Sequence, residues 1–298
     1  METSSDLVEP RPGRGVWAFC DGLDAAGSIS FARALTELGY SSLWLPETFG
    51  RDPFAHIAHL LAATDELVFA TGIANIHNRH AGVMRQAALT LAEQAPGRFV
   101  LGLGVSHERT VEGVRGLDYS RPLHRMADYL DAYAAAPYRG PAAPAPPLVL
   151  GALGPRMVGL AAARADGVHT YSVTPAHTAT TRAAIGPDAL LYVEQKVILT
   201  SDRSAGLDAA RRVLVGTSAL PNYRRRWRAL GFADTQIENL DAEFVEAIVA
   251  VGDADAVGRR LDEHQAAGAT QVCVQALDVT GSPEPDLAAL KELAPQPR

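Results

Sequence analysis

Cysteine is scarce in this sequence of 298 residues, and its scarcity excludes two kinds of site. Cys20 and Cys273 are too few for a disulfide framework or for a thiolate zinc site. Both lie in apolar runs, where a cysteine behaves as a small buried hydrophobe. Lysine is equally rare, with Lys196 and Lys291 against 25 arginines. This bias indicates a GC-rich genome and says little about mechanism.

Positive charge and long apolar runs are also lacking. The formal net charge of −7 argues against general binding to nucleic acids or anionic membranes, because both need positive faces. No apolar run approaches the roughly 20 residues that cross a bilayer. The polar start, residues 1–15, has no apolar core of a signal peptide. Together with reduced thiols, these absences predict a cytoplasmic protein without nucleic-acid or membrane partners.

The sequence is rich in apolar strands that alternate with helices. Hydrophobic residues make up 47% of the chain, which is enough for one large barrel or two domains. The predicted strands cover residues 16–20, 42–45, 67–73, 98–105, 148–150, 167–171, 190–199 and 272–277. They are continuous apolar runs, as expected when both faces of a parallel sheet are buried. The pattern predicts a single (β/α)8 TIM-type barrel over residues 15–298, preceded by a flexible tail over 1–14. Residues 222–230 and 242–250 are predicted as extra helices.

The stretch 147–167 predicts a turn that could bind an anion. An apolar strand is followed by the small-residue turn Gly151-Ala152-Leu153-Gly154, and Pro155 suits the first position of a helix. Glycine lets a ligand approach the backbone, and the free N–H groups of a helix start favour phosphate or carboxylate. Arg156 would add a charged contact. The alternative is an ordinary strand-to-helix turn that binds nothing.

Glycines and polar residues collect where the predicted strands end, and in a (β/α)8 barrel those ends form the binding face. The residues are Cys20 and Asp21, Glu47, Gly72 to Asn75, Ser106 and His107, Gly151 to Gly154, Tyr171 and Ser172, and Glu194 onward.

Several motifs, in their order and spacing, resemble the luciferase-like monooxygenase superfamily, and more closely its F420-dependent oxidoreductase branch. They are Trp-Leu-Pro-Glu47, Ala-Thr-Gly-Ile-Ala-Asn75, Pro-Gly-Arg-Phe-Val-Leu-Gly-Leu-Gly-Val-Ser-His107, Leu-Gly-Ala-Leu-Gly-Pro-Arg156 and Ala-Gly-Ala-Thr-Gln-Val-Cys-Val-Gln275. The resemblance covers nearly the whole chain after the first dozen residues.

The resemblance implies that the barrel mouth holds coenzyme F420, with FMN as the alternative. It implies a bulge after the third strand, with a non-proline cis peptide at Gly72-Ile73 that supports the cofactor ring. It also implies that the fifth strand's turn grips the cofactor phosphate. The implied cofactor contacts are Glu47, Gly72, Ile73, Asn75, Ser106, Gly151, Ala152, Leu153, Gly154 and Arg156. The implied reaction is hydride transfer between C5 of the deazaflavin and a small organic substrate.

Two residues are candidates for catalysis. Glu47 is interpreted as an acid that touches the ring, although it could be a helix cap. His107 lies where some relatives have an acid/base glutamate, and its imidazole could donate a proton near neutral pH; a structural role is the alternative. Thr48 stands where some relatives have a catalytic histidine, so that mechanism does not transfer. Trp17, Tyr171, Glu194 and Gln195 are candidates for the substrate pocket, with core packing or core hydrogen bonding as the competing interpretation.

Other interpretations remain open at the level of sequence. His77 and His80 have a metal-like spacing, but no carboxylates join them, so no metal site is predicted. Arg79 could meet the cofactor or a neighbouring helix. The basic run 223–228 is interpreted as a solvated helix face, or as a weak attraction for the anionic tail of F420. A homodimer is a family expectation.

Competing functions are an FMN-dependent monooxygenase served by a separate flavin reductase, a non-catalytic flavin-binding barrel, and a sugar-phosphate enzyme.

Overall fold

Ten strands and the helices between them account for most of the part of the chain that the computed structural model describes, residues 13–282 and 284–295. The strands are β1 Gly13–Trp17, β2 Ser42–Leu45, β3 Val68–Thr71, β4 Ala74–Asn75, β5 Phe99–Gly104, β6 Leu148–Gly151, β7 Gly167–Thr170, β8 Leu190–Leu199, β9 Val249–Gly252 and β10 Gln271–Ala276. The helices are α1 Ala25–Glu37, α2 Pro53–Ala63, α3 Ala81–Gln94, α4 Glu108–Val111, α5 Pro122–Ala135, α6 Pro155–Arg164, α7 Pro175–Ile185, α8 Arg203–Ser218, α9 Pro221–Ala229, α10 Asp234–Asn239, α11 Ala242–Ile248, α12 Ala254–Ala266 and α13 Leu287–Glu292.

Eight of the strands close into a parallel barrel. Their order is β1, β2, β3, β5, β6, β7, β8 and β10, and β10 pairs in parallel with both β8 and β1. Helices follow the strands and cover the outside. The predicted (β/α)8 barrel is therefore confirmed, and so is its consequence that the carboxyl ends of the strands meet at one mouth.

Both faces of the barrel strands are buried, which explains their continuous apolar sequences. One side packs against the helices in a large cluster that includes Leu35, Ile57 and Leu101. The other side fills the barrel interior, where Trp44, Val149 and their neighbours form a separate cluster. Residues from neighbouring strands thus interlock as in a packed core, and the barrel is not an open pore.

Helix starts follow the capping rules that their sequences predict. Asp52 accepts hydrogen bonds from the backbone of Phe54 and Ala55 at 2.9 and 3.0 Å, and Pro53 takes the first helical position. Thr174 caps α7 in the same way, ahead of Pro175. Each cap satisfies backbone N–H groups that the first helical turn leaves unpaired.

The structure corrects two boundaries that were predicted from the sequence, the start of β1 and the end of α11. Gly13 and Arg14 belong to β1, although the flexible tail was expected to include them; residues 1–12 of that tail lie outside the described residues. The helix expected over 242–250 ends at Ile248. Its last residues start β9, whose Val249 and Val251 pair with Lys196 and Ile198 of β8. β-branched valines fit a pleated strand better than a helix, and the end of β8 offers a free edge.

The helices α8 to α11 form a second cluster beside the barrel mouth. Its centre is Trp227 on α9, which packs edge-to-face on Phe244 of α11 at 4.9 Å and donates a hydrogen bond from Nε1 to the Ser172 carbonyl at 3.1 Å. This packing fixes α9 against the end of β7. Within the described residues, no helix is both long and apolar enough to cross a membrane.

A buried polar network ties α7, β8 and α12 together. His264 is fully buried, and its two ring nitrogens lie 2.8 Å from Thr178 Oγ1 and 2.8 Å from Gln195 Oε1. Gln195 also donates to the Ile248 carbonyl at 3.0 Å. Burial, followed by the nearby charges of Arg260 and His177, lowers the pKa of His264 from 6.5 to about 3.

This shift predicts how stability depends on pH. Between the unfolded pKa of 6.5 and the folded pKa of about 3, only the unfolded chain protonates His264. The contribution of His264 to the free energy of unfolding is therefore complete above its unfolded pKa of 6.5 and is lost as the pH falls towards its folded pKa. This one group should remove about 1.4 kcal/mol of unfolding free energy per pH unit in that window.

The substitution His264→Gln should flatten the pH dependence of unfolding free energy by about one proton between pH 4 and 6. Chemical denaturation at several pH values measures this slope. His59→Gln, at an exposed position of α2, controls for the loss of an imidazole. An unchanged slope in His264→Gln would contradict the assignment.

Candidate active site

A cavity of about 690 Å³ opens at the carboxyl ends of the barrel strands. Its walls come from the ends of β1, β2, β3, β5, β6 and β7 and from α9. Most of the residues predicted for the site line this cavity: Trp17, Glu47, Gly72, Ile73, Ser106, His107, Gly151, Ala152, Leu153, Gly154, Arg156 and Tyr171. Strand ends together with the family resemblance thus predicted these twelve residues of the wall, while the other lining residues were not predicted.

The bulge after β3 forms one side of the cavity. The peptide bond Gly72-Ile73 is cis, as the resemblance implied. β3 and β4 both pair with β5, and the four steps from Ala70 to Ala74 lie opposite only three steps from Val100 to Leu103. One residue is thus extra on the β3–β4 side, which turns the backbone of the bulge towards the cavity.

Three glycines make room for the side chain of the bulge. A Cβ atom at Gly104 would lie 2.5 Å from Ile73 Cδ1, and one at Gly151 would lie 3.2 Å from Ile73 Cγ2. At Gly102 a Cβ would lie 2.1 Å from the Thr71 carbonyl oxygen and 3.5 Å from Ile73 Cγ2. Gly104 is therefore required by the close approach of Ile73 and Gly102 by that of the Thr71 carbonyl, while a side chain at Gly151 would press on Ile73.

Trp17 supports the bulge from its other side. Its Nε1 donates a hydrogen bond to the Gly72 carbonyl at 2.9 Å. A Cβ atom at Gly72 would lie 2.8 Å from that same nitrogen. Trp17 also packs against Phe19 and Tyr171, with ring centroids 4.8 and 5.0 Å apart. It is consequently both a cavity wall and a support for the backbone of the bulge.

Glu47 is held in one orientation beside the bulge. Its carboxylate accepts a hydrogen bond from the Asn75 backbone at 2.7 Å and forms an ion pair with Arg79 at 2.7 Å. Arg79 also pairs with Asp52, the N-cap of α2, and lies over the Phe54 ring. Arg79 therefore meets a neighbouring helix, one of its two sequence interpretations, and fixes Glu47.

Asn75 lies behind the cavity wall, which corrects its expected role as a ring contact. Its side chain is 2% exposed and closes the local turn by accepting from the His77 backbone at 3.0 Å and donating to Asn78 at 3.4 Å. Asn75 contributes to the site only through its backbone N–H, which donates a hydrogen bond to the Glu47 carboxylate.

His107 and Ser106 form the wall at the end of β5. Ser106 has a left-handed backbone (φ 57°), and its carbonyl accepts a hydrogen bond from Tyr119 at 3.0 Å. Burial lowers the pKa of His107, while a hydrogen bond with the Asn222 side chain raises it. Among the described residues its Nδ1 has no hydrogen-bond partner. Burial therefore favours the neutral form of the ring.

The turn between β6 and α6 has free backbone donors. Gly154 is the N-cap of α6 and has no side chain to satisfy the first turn. Ala152 donates its backbone N–H to the His169 carbonyl at 3.2 Å, but across the described chain the N–H groups of Leu153, Gly154 and Arg156 have no acceptor. Nε2 of His177 forms a hydrogen bond with the Leu153 carbonyl oxygen at 3.1 Å. The turn thus presents donors at a helix start, as an anion requires.

Two arginines of α9, together with Arg156 of α6, form the basic rim of the cavity. Both belong to the run 223–228, which the sequence predicted as a solvated helix face or as a weak attraction for an anionic tail. Arg224 and Arg228 pair with Glu238 and Asp234 of α10. Arg225 and Arg226 instead line the cavity. A signal for this division exists in the sequence: Tyr223 and Trp227 are spaced i,i+4 and form the buried face, so the four arginines cannot share one solvated side.

Three arginines at the rim have no counter-ion in the described part of the chain: no carboxylate lies within 4.0 Å of the side chains of Arg156, Arg225 or Arg226. Arg226 is half-buried, its Nε has no partner, and burial lowers its pKa. A desolvated guanidinium without a partner is costly, and a bound anion would remove that cost.

Glu194 and Gln195 lie behind the cavity, contrary to their predicted place in the substrate pocket. Glu194 is completely buried, pairs with Lys196 at 3.1 Å and accepts from the Ser172 backbone at 2.9 Å. Burial raises the pKa of Glu194 and lowers that of Lys196, and each opposes the shift of the other. Gln195 belongs to the His264 network. Tyr171 does line the cavity, and its hydroxyl donates to Gln275 at 3.1 Å.

No group of three His, Cys, Asp or Glu side chains that could hold a metal occurs among residues 13–282 and 284–295. His80, one of the two histidines with metal-like spacing, accepts from the Gly82 backbone at 3.1 Å and caps α3.

The barrel, its bulge after β3 and the turn before α6 can be compared with known proteins. The family model for luciferase-like monooxygenases matches residues 21–271. The chain belongs to this family.

A protein of Mycobacterium tuberculosis with the provisional name coenzyme F420-dependent oxidoreductase Rv3520c is 26% identical over an alignment of 325 positions, which covers 86% of this chain and 92% of the relative.

Solved structures share the fold. An F420-dependent secondary alcohol dehydrogenase in complex with an F420–acetone adduct superposes with a TM-score of 0.74 at 16% identity, covering 96% of this chain and 97% of that chain. The FMN-bound oxygenating constituent of 3,6-diketocamphane monooxygenase from Pseudomonas putida has a TM-score of 0.66 at 16% identity, covering 95% and 97%.

The close packing of Ile73 against Gly104 leads to a prediction about stability. Gly104→Ala should lower the free energy of unfolding by about 1–3 kcal/mol, because the new methyl group overlaps Ile73. Adding Ile73→Ala should recover part of that loss, since it removes the atoms that clash. Denaturant unfolding of the two single variants and the double variant measures the coupling.

Gly159→Ala is the matched control, because a Cβ atom at this position of α6 meets nothing within 4 Å. If Gly104→Ala were as stable as this control, or if the two effects at Gly104 and Ile73 simply added, the proposed fit would be wrong.

Proposed function

We propose that this protein is an F420-dependent oxidoreductase that transfers a hydride between C5 of the deazaflavin and a small organic substrate. The observation that carries the proposal is the pairing, in one cavity, of a backbone bulge with an anion-binding rim that includes the half-buried, unpaired Arg226. The name of the Mycobacterium tuberculosis relative supports the choice of F420.

The residues present fit such a cofactor at both of its ends. The flat peptide of Gly72-Ile73, supported by Trp17, offers a surface for a planar ring. The free N–H groups of Leu153 and Gly154 offer donors for a phosphate at the start of α6.

The number of unpaired arginines favours F420 over FMN. Arg156 lies on α6, whereas Arg225 and Arg226 lie on α9, so the positive rim extends over two helices. FMN carries one phosphate, while F420 carries a phosphate diester and a tail of carboxylates. A longer anionic chain matches an extended rim better than a single group does.

When bound, the deazaflavin would supply or accept the hydride at C5. The chain would contribute placement, a dry pocket and a proton site. Glu47 is fixed by Arg79 and Asn75 and presents a negative group beside the bulge. His107 lines the cavity and is the candidate to exchange a proton with the substrate. Phe19, Tyr119 and Tyr223 help to line the cavity and exclude water.

An FMN-dependent monooxygenase with a separate flavin reductase is the second candidate, because an FMN-bound barrel shares the fold. A homodimer, a cytoplasmic location and the small-molecule substrate remain predictions.

The cofactor can be tested by titrating the purified protein in parallel with F420, with FMN and with the free deazaflavin chromophore that lacks phosphate and tail. We expect tight binding of F420 and weaker binding of both others, followed by fluorescence and calorimetry. Arg226→Gln should weaken F420 binding roughly 10-fold, since it removes a charged contact to an anion.

Arg228→Gln is the control on the same helix, because Arg228 pairs with Asp234 and should not affect F420 binding. Preference for FMN would support the monooxygenase. Binding of none of the three compounds would contradict a flavin-type cofactor altogether and revive a sugar-phosphate enzyme or another anion site.

A further inference from the structure

Two exposed phenylalanines lie at the mouth of the cavity. Phe19 and Phe49 are 39% and 64% exposed, although phenylalanine is among the residues most often buried. They follow the neighbouring strands β1 and β2, and both line the cavity. The other large apolar side chains that are exposed in the described residues do not line it. We call the rings of Phe19 and Phe49 the apolar lip.

Polar contacts join the two loops that carry the apolar lip. Asp21 accepts hydrogen bonds at 3.0 Å from the Thr48 hydroxyl and at 3.0 Å from the Arg51 backbone. Arg51 in turn donates to the Cys20 carbonyl at 2.9 Å. A Cβ atom at Gly50 would lie 2.1 Å from the carboxyl carbon of Asp21, so the loops meet closely at this glycine. Asp21 therefore fixes the loops to each other.

Each ring of the apolar lip also has its own support. Trp17 meets Phe19 edge-to-face, with ring centroids 4.8 Å apart and an interplanar angle of 90°. The guanidinium of Arg115 lies over the Phe49 ring, 5.4 Å from its centroid, and donates to the Thr48 carbonyl at 2.9 Å. The two phenyl rings are thus held at the mouth by neighbouring groups, and their exposure is a built feature of the cavity.

The basic rim and the apolar lip occupy different parts of the cavity wall. Among the described residues, the Asp, Glu, Lys and Arg side chains that line the cavity are Glu47, Arg156, Arg225 and Arg226. The three arginines belong to α6 and α9. In the barrel, β3 and β5 separate the strands of the lip from β6, which leads into α6. Glu47 already pairs with Arg79. The cavity thus has one cationic side and one apolar side.

The two sides favour different ligands. A phosphate and carboxylates of the cofactor would take the arginines of the rim, which leaves no cation in the lining for a second anion. An anionic substrate beside the lip would also meet the Glu47 carboxylate, and like charges repel. Phenyl rings gain from burying apolar surface and from edge or offset contacts with another ring. A cavity of about 690 Å³ suits a small molecule and does not admit a folded partner.

We propose that the substrate is a neutral molecule with an apolar body, about the size of a substituted benzene ring, that packs against the apolar lip. Its role as the substrate rests on the proposed function, whereas its binding rests on the lip itself. Trp17 links the lip to the bulge, because it contacts Phe19 and donates to the Gly72 carbonyl at 2.9 Å. A molecule at the lip therefore lies beside the proposed position of the cofactor ring.

Three probes separate charge from apolar surface. Acetophenone and benzoate share the benzene ring and differ in charge, while acetophenone and acetone share the methyl ketone and differ in the ring. Calorimetry measures their binding to the protein saturated with F420, which occupies the basic rim. We expect acetophenone to bind at least roughly 10-fold more tightly than benzoate or acetone.

Variants of the apolar lip give an independent measurement. Phe19→Ser and Phe49→Ser each remove an exposed ring, so the fold should be retained. Acetophenone should bind roughly 5- to 10-fold more weakly to each variant, while the affinity for F420 stays that of wild type. Val215→Ser is the matched control, because Val215 is equally exposed on α8 and does not line the cavity.

Four results would overturn the proposal. Benzoate or acetone could bind as tightly as acetophenone, or the lip variants could bind acetophenone as wild type does. A loss of F420 affinity in the lip variants would assign the lip to the cofactor. Dissociation of a dimer by Phe49→Ser, measured by sedimentation, would assign the lip to a second copy of the chain.

The two proposals can fail separately. If wild type does not bind F420, the proposed function fails, and the comparison of acetophenone with acetone in wild type and in the lip variants still decides the role of the lip. If F420 binds tightly but acetophenone binds no better than acetone, the role of the lip fails and the function stands.

Discussion

The side chain of Ile73 lies in a groove that three glycines on two strands leave open, and the shape of the cavity depends on that fit. Gly102, Gly104 and Gly151 cannot carry a Cβ atom without meeting Ile73 or the Thr71 backbone. The same bulge places the Ile73 carbonyl to accept from the Glu47 backbone at 3.2 Å and the Asn75 backbone to donate to the Glu47 carboxylate. Packing at one residue thus positions both a flat backbone surface and the acid beside it.

The charged groups around the cavity differ in whether the protein supplies an ionic partner for them. The buried acids have their own cations: Glu47 pairs with Arg79 and Glu194 pairs with Lys196. At the rim the described residues leave Arg225 and Arg226 without a counter-ion. An acidic protein with a net charge of −7 therefore presents a locally positive mouth, which attracts an anionic ligand that the rest of its surface would repel.

The fold was predictable because strand runs and helix caps are local signals, and the site was predictable where it consists of strand ends. The direction in which each side chain points was not predictable from the sequence. Tyr171 directly follows β7 and lines the cavity, whereas Glu194 lies in the middle of β8 and is buried behind the cavity with Lys196. The basic run that contains Arg225 and Arg226 was visible in the sequence, but which of its arginines face the cavity was not, because their direction depends on how α9 docks through Trp227, a tertiary contact that no local pattern contains. β9 was missed because its pairing with β8 is equally non-local.

If the bulge and the rim bind opposite ends of one cofactor, a crystal structure of the protein with F420 should show the deazaflavin ring against Gly72-Ile73. The phosphate should lie at the backbone of Leu153 and Gly154, within reach of Arg226. A ring bound away from the bulge, or a phosphate held by another loop, would contradict this arrangement.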